Sequence, residues 1–347
     1  MKKKVYIIYT GGTIGMVRTP NGYAPEKGYM ERLLGEIPEL RADIMPECIF
    51  SEYDPLLDSS SIALQEWIKI ARDIRDNYTR YDGFVVLHGT DTMAYTASAL
   101  SFMLEGLDKP VILTGSQIPF CEIRNDARDN LITAIMIAGH YRIPEVCLYF
   151  GNALLRGNRA TKVSADALSA FESPNYPMLG TAGVDIVVQE KFCRKDKKRE
   201  LSLFEFSEQQ IAVLKIFPGI KPEIFESIMT PTLKGLVVEA FGAGNIPGGD
   251  GRTAEIFKKA ADNGTIIVVC TQCLRGSAEI GEYEASKALA DAGAISGYDM
   301  TAEAAVTKLY YLLSKGCSHD EIKKQMQTDL RGEMSRGSLS GVYNICE

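Results

Sequence analysis

Two short stretches put hydroxyls and a carboxylate where covalent chemistry is possible: Tyr9-Thr10-Gly11-Gly12-Thr13-Ile14-Gly15 and Gly89-Thr90-Asp91-Thr92. Each follows an apolar run, Val5 to Ile8 before the first and Phe84 to Leu87 before the second, rich in the β-branched and aromatic residues that favour strands. An apolar run that stops at glycine reads as a strand feeding a tight loop, and glycine lets backbone approach a ligand without a Cβ clash. In open α/β sheets ligands bind at that end of the strands. A threonine hydroxyl is a weak nucleophile and needs a neighbour to take its proton. A lysine held neutral by burial or by nearby charge can do so, as can a hydrogen-bonded tyrosine. Thr90, Asp91 and Lys162 could form such a cluster, with Thr13 and Tyr23 facing it. Lys162 matters only if the fold carries it to Thr90 and Asp91. A single loop of this kind reads as an ordinary Gly-Gly turn; two suggest a composed site.

Other chemistries find less support. Gly11, Gly12 and Gly15 lack dinucleotide-loop spacing, and no Gly-Lys-Ser/Thr follows to cradle phosphate. The chain has three histidines. His140 ends a helix, His319 sits beside a helix cap, and His88 reads as a packed residue at a strand end. A Ser-His-Asp hydrolase and a histidine-ligated metal site therefore both lack support. Ser318-His319-Asp320-Glu321 gathers the residue types of a triad, yet neighbours at a helix start cannot converge on one point, and S-x-x-E is a capping box. Cys270-Thr271-Gln272-Cys273 is a lone C-x-x-C without the second pair that zinc needs. Cys270 is expected to be buried at a strand end and Cys273 exposed. Eight sparse, irregularly spaced cysteines do not suggest a disulfide framework. No metal or cofactor is called for.

A net charge of −7 with a pI near 5.3 argues against a general nucleic-acid binder. No apolar run reaches membrane-spanning length. Lys2-Lys3-Lys4 precedes an apolar stretch too short for a signal peptide, so a cytoplasmic location is expected.

The elements that must position these residues follow from the patterning. A chain of 347 residues is long for one domain and comfortable for two. Up to about residue 190, strand-like runs alternate with helical stretches, the signature of a parallel sheet covered on both faces. Asn21-Gly22-Tyr23-Ala24-Pro25 is a turn cluster inside a long loop, the kind that serves as a lid. Asp58-Ser59-Ser60-Ser61 precedes a helix from about Ala63; capping is the default, with anion or amine binding open. Strands are expected at Pro110 to Leu113 and Val146 to Phe150, and helices from Met93 to Leu104 and from Asn125 to Ala138. Arg156 and Arg159 are expected to be solvated. The charged run over 191–206 reads as a linker. Beyond it a smaller α/β domain, 207–347, is expected, with strands near Ile211, Gly235 and Thr265 and the Gly-rich loop Phe241 to Pro247.

Thr10-Gly11-Gly12-Thr13-Ile14-Gly15 together with Leu87-His88-Gly89-Thr90-Asp91-Thr92-Met93-Ala94-Tyr95-Thr96 resembles the paired signature motifs of the bacterial-type L-asparaginases. The stretches His88 to Gly106 and Thr114 to Pro119 are most similar to the cytoplasmic type I branch. The resemblance covers essentially the whole chain. It implies a larger N-terminal flavodoxin-like domain, a smaller C-terminal α/β domain, and hydrolysis of L-asparagine to L-aspartate and ammonia through a covalent intermediate. Thr13 would attack the side-chain amide with Tyr23 as its proton partner, while Thr90, Lys162 and Asp91 form the second cluster. Asp91 would meet the substrate ammonium and the Asp58-Ser59-Ser60 stretch its α-carboxylate. The Ser116 carbonyl would read the amide. Which threonine attacks first is not decided by the sequence.

The resemblance also implies a homodimer or dimer of dimers in which a neighbouring subunit completes the site. Tyr283 and Glu284 match positions from which family members reach across, and Asn245 is a further position. Some type I enzymes are activated by asparagine at a second site that uses an arginine and a cysteine. The cysteine matches Cys273, but Glu239 stands at the arginine position and would repel an α-carboxylate, so the sequence leaves open whether asparagine acts at this pair of positions. A broader glutaminase-asparaginase and a non-catalytic amino-acid sensor are the rival readings.

Overall fold

The computed structural model describes residues 2–195, 199–247, 251–281 and 284–335. The chain divides into two compact units, Met1–Glu205 and Phe206–Glu347.

In the first unit the elements run β1 (Lys4–Gly11), β2 (Met16–Thr19), β3 (Gly22–Pro25), α1 (Tyr29–Glu36), β4 (Glu47–Leu57), α2 (Leu64–Asn77), β5 (Gly83–Leu87), α3 (Met93–Met103) and β6 (Leu104–Glu105). They continue with β7 (Val111–Thr114), α4 (Ala127–His140), β8 (Val146–Phe150), β9 (Ala153–Arg156), β10 (Thr161–Lys162), β11 (Phe171–Glu172), β12 (Gly180–Ala182), β13 (Ile186–Val188) and β14 (Ser202–Leu203). The main sheet has the order β13-β12-β9-β8-β7-β5-β1-β4. Its parallel part, β4-β1-β5-β7-β8, numbered by appearance, is 2-1-3-4-5, the flavodoxin order. β9, β12 and β13 extend it antiparallel, so the sheet is mixed, where alternation alone suggested a parallel one. Strands buried on both faces have no room for a polar stripe, and β5 and β8 are buried at every residue.

Alternate residues of β1 and β5 (Val5, Ile7, Tyr9, Val85, Leu87) pack with Met30 of α1 and with Leu131, Ala134, Ile135 and Ala138 of α4. On α2 the buried Leu64, Trp67, Ile68, Ala71 and Ile74 form one helical stripe, and Trp67 bonds Thr96 of α3 across the other face of the sheet. The crossovers β5-α3-β7 and β7-α4-β8 step the same way along the sheet, yet their helices lie on opposite faces. They therefore have opposite hands, and one is an exception to the right-handed rule.

Part of the stretch read as a linker belongs to this unit. Phe192 and Cys193 pack on its core, and Ser202–Leu203 pairs with Leu104–Glu105. Apolar side chains scattered among the charges account for the difference.

The second unit holds a four-stranded parallel sheet of β15 (Ile211–Lys215), β16 (Gly235–Ala240), β17 (Ile266–Thr271) and β18 (Ile295–Ser296) in that order. Phe225 of α5 (Pro222–Ile228), Phe257 and Ala260 of α6 (Arg252–Asp262), and Leu289 of α7 (Glu284–Asp291) share one core with the sheet. α8 (Ala302–Ser314) packs against β15 to β17, and α9 (His319–Met326) follows. The Lys308 ammonium is buried on the Glu333 carboxylate at 2.5 Å and also donates to the carbonyls of Met326 and Thr328, which ties the last described segment to α8. Ser318 and Glu321 form the capping box expected at α9. Among the described residues no helix is long and apolar enough to cross a membrane.

Candidate active site

The order 2-1-3-4-5 reverses direction between β1 and β5, and a ligand crevice forms where the loops leaving such strands part. Those loops carry Thr13 and Thr90. β1 ends at Gly11, and the chain turns through Gly12, with φ 91°, into the 3-10 turn Thr13–Gly15. A Cβ on Gly12 would lie 2.4 Å from the Gly89 nitrogen, and one on Gly89 2.4 Å from Ser59 Oγ. The loops after β1, β4 and β5 thus meet at contacts that only glycine permits.

Between them lies a cavity of ≈ 250 Å³ whose lining includes Thr13, Asp58, Ser59, Thr90, Asp91, Gln117 and Lys162. Two carboxylates and one ammonium give this wall a net charge of −1. Lys162 Nζ donates to Thr90 Oγ1 at 2.9 Å and to Asp91 Oδ1 at 2.8 Å. Residues 72 positions apart in sequence are brought into contact. Thr90 in turn donates to Gln117 Oε1 at 3.3 Å. The Thr13 hydroxyl faces the same cavity and has no hydrogen-bond partner among the described residues. The main-chain N–H groups of Thr90 and Asp91, just ahead of α3, also lack an acceptor among the described residues. α3 starts just beyond them, with Thr92 as its N-cap, so the positive end of that helix lies next to this loop.

The supports are packed behind. Arg156 and Arg159, expected to be solvated, are 5% and 2% exposed. Arg156 Nε bonds Glu145 Oε2 at 2.6 Å, and its guanidinium lies 4.2 Å from the Tyr176 ring centroid. Arg159 donates to the Asn175 carbonyl at 2.6 Å. These contacts pin the segment that leads into β10, and hence the base of Lys162. The correction has a plain cause: a buried carboxylate and an aromatic face stand where solvent was assumed. His88 is buried. Its Nδ1 lies 2.7 Å from the Gly89 carbonyl and its Nε2 2.9 Å from Thr96 Oγ1. Burial pushes its pKa down to about 4, so the ring is neutral and packed.

Not every expected residue reaches the cavity. Tyr23 lies on the β2–β3 hairpin, and its phenol donates to Glu122 Oε1 at 2.6 Å while Arg18 bonds both groups. It is 44% exposed and absent from the cavity wall, because the Glu122 carboxylate is the stronger acceptor within reach. Asp58 lines the cavity while its carboxylate accepts from the Ser60 N–H at 3.0 Å; Ser60 itself is exposed and off the wall. Ser116 is buried behind the wall, its hydroxyl unpartnered among the described residues, and Gln117 takes the lining position. Gln117 was missed. A polar side chain three residues past Thr114, the last residue of β7, was the available signal.

The comparisons settle the ancestry. Residues 4–194 match the family description "Asparaginase, N-terminal" and residues 210–326 match "Glutaminase/Asparaginase C-terminal domain". The chain belongs to the asparaginase family. L-asparaginase 1 of Escherichia coli (strain K12) is 46% identical over 334 residues, covering 96% of this chain and 98% of that protein. Among solved structures, L-asparaginase I from Vibrio cholerae O1 biovar eltor superposes with a TM-score of 0.90 at 46% identity, over 97% of this chain and 100% of its own. The thermostable L-asparaginase from Thermococcus kodakarensis does so with 0.86 at 32% identity, over 96% and 100%.

In this member of the asparaginase family, the remaining expected residues lie in the second unit. Asn245 closes the turn that pairs with Phe241, and its Oδ1 is buried without a partner among the described residues. Glu239 lies near the end of β16, where its carbonyl accepts from the Gln272 amide at 2.7 Å. Cys273 is exposed and Cys270 buried, as expected; burial raises the Cys270 thiol to about 12, and both are free thiols. Glu284 begins α7, and Tyr283 lies outside the described residues.

Proposed function

We propose that this protein hydrolyses L-asparagine to L-aspartate and ammonia through an acyl-enzyme formed on Thr13. The observation that carries the reading is the convergence of Thr13, Thr90, Lys162 and Asp91 around one cavity of ≈ 250 Å³ in a member of the asparaginase family. Its small size and its net negative, hydroxyl-rich wall suit an amino acid with a free ammonium group.

In this reading Asp91 holds the substrate ammonium, and Asp58 contributes to the same negative wall. The Ser59–Ser60 segment meets the α-carboxylate, and the Ser116 carbonyl reads the amide N–H. Thr13 Oγ1 attacks the amide carbon, and its proton passes to the Tyr23 hydroxyl, which hands its own proton on to the leaving nitrogen. β3 packs beside the Thr13–Gly15 turn, and in this reading the phenol exchanges Glu122 for Thr13. The N–H groups of Thr90 and Asp91 receive the oxyanion; one such donor contributes ~3 kcal/mol to the barrier. Collapse expels ammonia. Water, activated through Thr90 and Lys162, then cleaves the ester, releasing aspartate and restoring the Thr13 hydroxyl.

We further read the enzyme as a cytoplasmic homodimer or dimer of dimers in which Tyr283, Glu284 and Asn245 of a neighbouring subunit close the site. The test is steady-state ammonia release from L-asparagine, L-glutamine and D-asparagine. L-asparagine is expected to dominate. Similar efficiency on both L-amides would make the enzyme a glutaminase-asparaginase, and binding without ammonia release would make it a sensor.

A further inference from the structure

We infer that Gln117 is a positioning residue for the Thr90 hydroxyl, fixing which way that group's single proton points. The inference rests on the proposed reaction only in giving Thr90 a part in turnover. A charged ammonium has donors and no acceptor, so in the 2.9 Å contact from Lys162 the Thr90 oxygen is the acceptor. The Thr90 proton must then go elsewhere, and Gln117 Oε1 at 3.3 Å takes it. The orientation of the Gln117 amide is set from its other end, where Nε2 donates to the Ala167 carbonyl at 3.2 Å. A flipped amide would face that carbonyl with an oxygen and lose the bond.

The backbone beneath Gln117 is held as firmly. The Asp126 carboxylate, 9% exposed, receives the N–H of Gln117 at 3.1 and 3.0 Å and that of Ile118 at 3.0 Å. Asn130, buried on α4, donates to the Gly115 carbonyl at 3.0 Å. A line of hydrogen bonds thus runs from the start of α4 through Gln117 to Thr90, and through Ala167 to the loop that contributes Ala165 to the cavity. With that line intact, the Thr90 lone pair stays aimed at Lys162. Without an acceptor at 117 the hydroxyl is free to rotate away.

The charged side chains lining the cavity are Asp58, Asp91 and Lys162, with Asp126 behind Gln117. The test compares the pH profile of kcat for wild type, Gln117→Leu and Gln117→Glu, with L-aspartate affinity by calorimetry. Leucine keeps the bulk and removes the acceptor. We expect kcat to fall about tenfold to a hundredfold at every pH, the usual effect of a misplaced reacting group, while aspartate binding changes less than about threefold. Glutamate restores the acceptor toward Thr90 but faces the Ala167 carbonyl with an oxygen and loses that bond. Its kcat is expected to recover part of the way, at least about threefold above Gln117→Leu and below wild type. Gln117→Leu with wild-type kcat, or Gln117→Glu with kcat no higher than that of Gln117→Leu, overturns the inference while leaving the proposed function standing. No ammonia release by the wild-type chain overturns both.

Discussion

Lys162→Met separates a catalytic role from a structural one because the structure assigns the two effects very different sizes. The ammonium makes two contacts, 2.9 Å to Thr90 and 2.8 Å to Asp91. The Asp91 side chain is 64% exposed and that of Lys162 20% exposed. Water therefore screens the ion pair, and such pairs contribute roughly 0–1 kcal/mol to stability. Methionine keeps the length of the side chain, so packing is largely retained, and a urea midpoint close to wild type is expected. For turnover the same substitution removes the group that aligns Thr90 and exchanges its proton, a loss of about 10²- to 10⁴-fold. At 1.36 kcal/mol per decade that is about 3 to 5 kcal/mol of barrier, several times the stability effect. The assay is ammonia release under single-turnover and steady-state conditions, with aspartate binding followed by calorimetry and unfolding by urea. Retained binding, an unchanged midpoint and collapsed turnover are expected. Turnover within about threefold of wild type, or a midpoint that falls along with activity, would refute the argument.

Tyr23→Phe removes the phenol now spent on Glu122, and kcat is expected to drop about a hundredfold or more with stability unchanged; retained kcat would leave Thr13 with a different proton partner. His88, held down to about 4 against an ordinary 6.5, makes folding pH-dependent. Below 6.5 the unfolded chain takes up a proton that the folded one refuses, so stability is full above 6.5 and falls by about 3 kcal/mol as pH drops to 4. Urea unfolding of wild type and His88→Gln across that range should show the slope reduced in the variant, and equal slopes would contradict it. Arg156→Met strands the Glu145 carboxylate, whose side chain is 3% exposed. A loss of about 3 to 5 kcal/mol by urea unfolding is expected, and a loss under about 1 kcal/mol would contradict the buried pair.

The parallel framework was legible because its strands are buried on both faces and leave unbroken apolar runs, as in Phe84 to Leu87 and Val146 to Phe150. The two loop motifs were legible because glycine is demanded where Gly12 and Gly89 meet. What stayed hidden depends on distant partners. β4 carries Glu52, Asp54 and Pro55 and is only partly buried along its length, so its strand pattern is broken by charge. The β2–β3 hairpin hid behind Pro20 and Pro25, although Asn21-Gly22 sits at its turn. Arg156 and Arg159 could not be read as buried without knowing that Glu145, Tyr176 and Asn175 would surround them. Gln117 escaped because nothing local shows that its amide ends beside Thr90.

The central claim, that Thr13 carries the acyl group, is tested most directly by acid-quenching the enzyme during L-asparagine turnover and mapping the aspartyl ester by peptide mass spectrometry. The account expects the adduct on the peptide containing Thr13, and none in Thr13→Ala. An ester on the Thr90 peptide, or full turnover by Thr13→Ala, would contradict it.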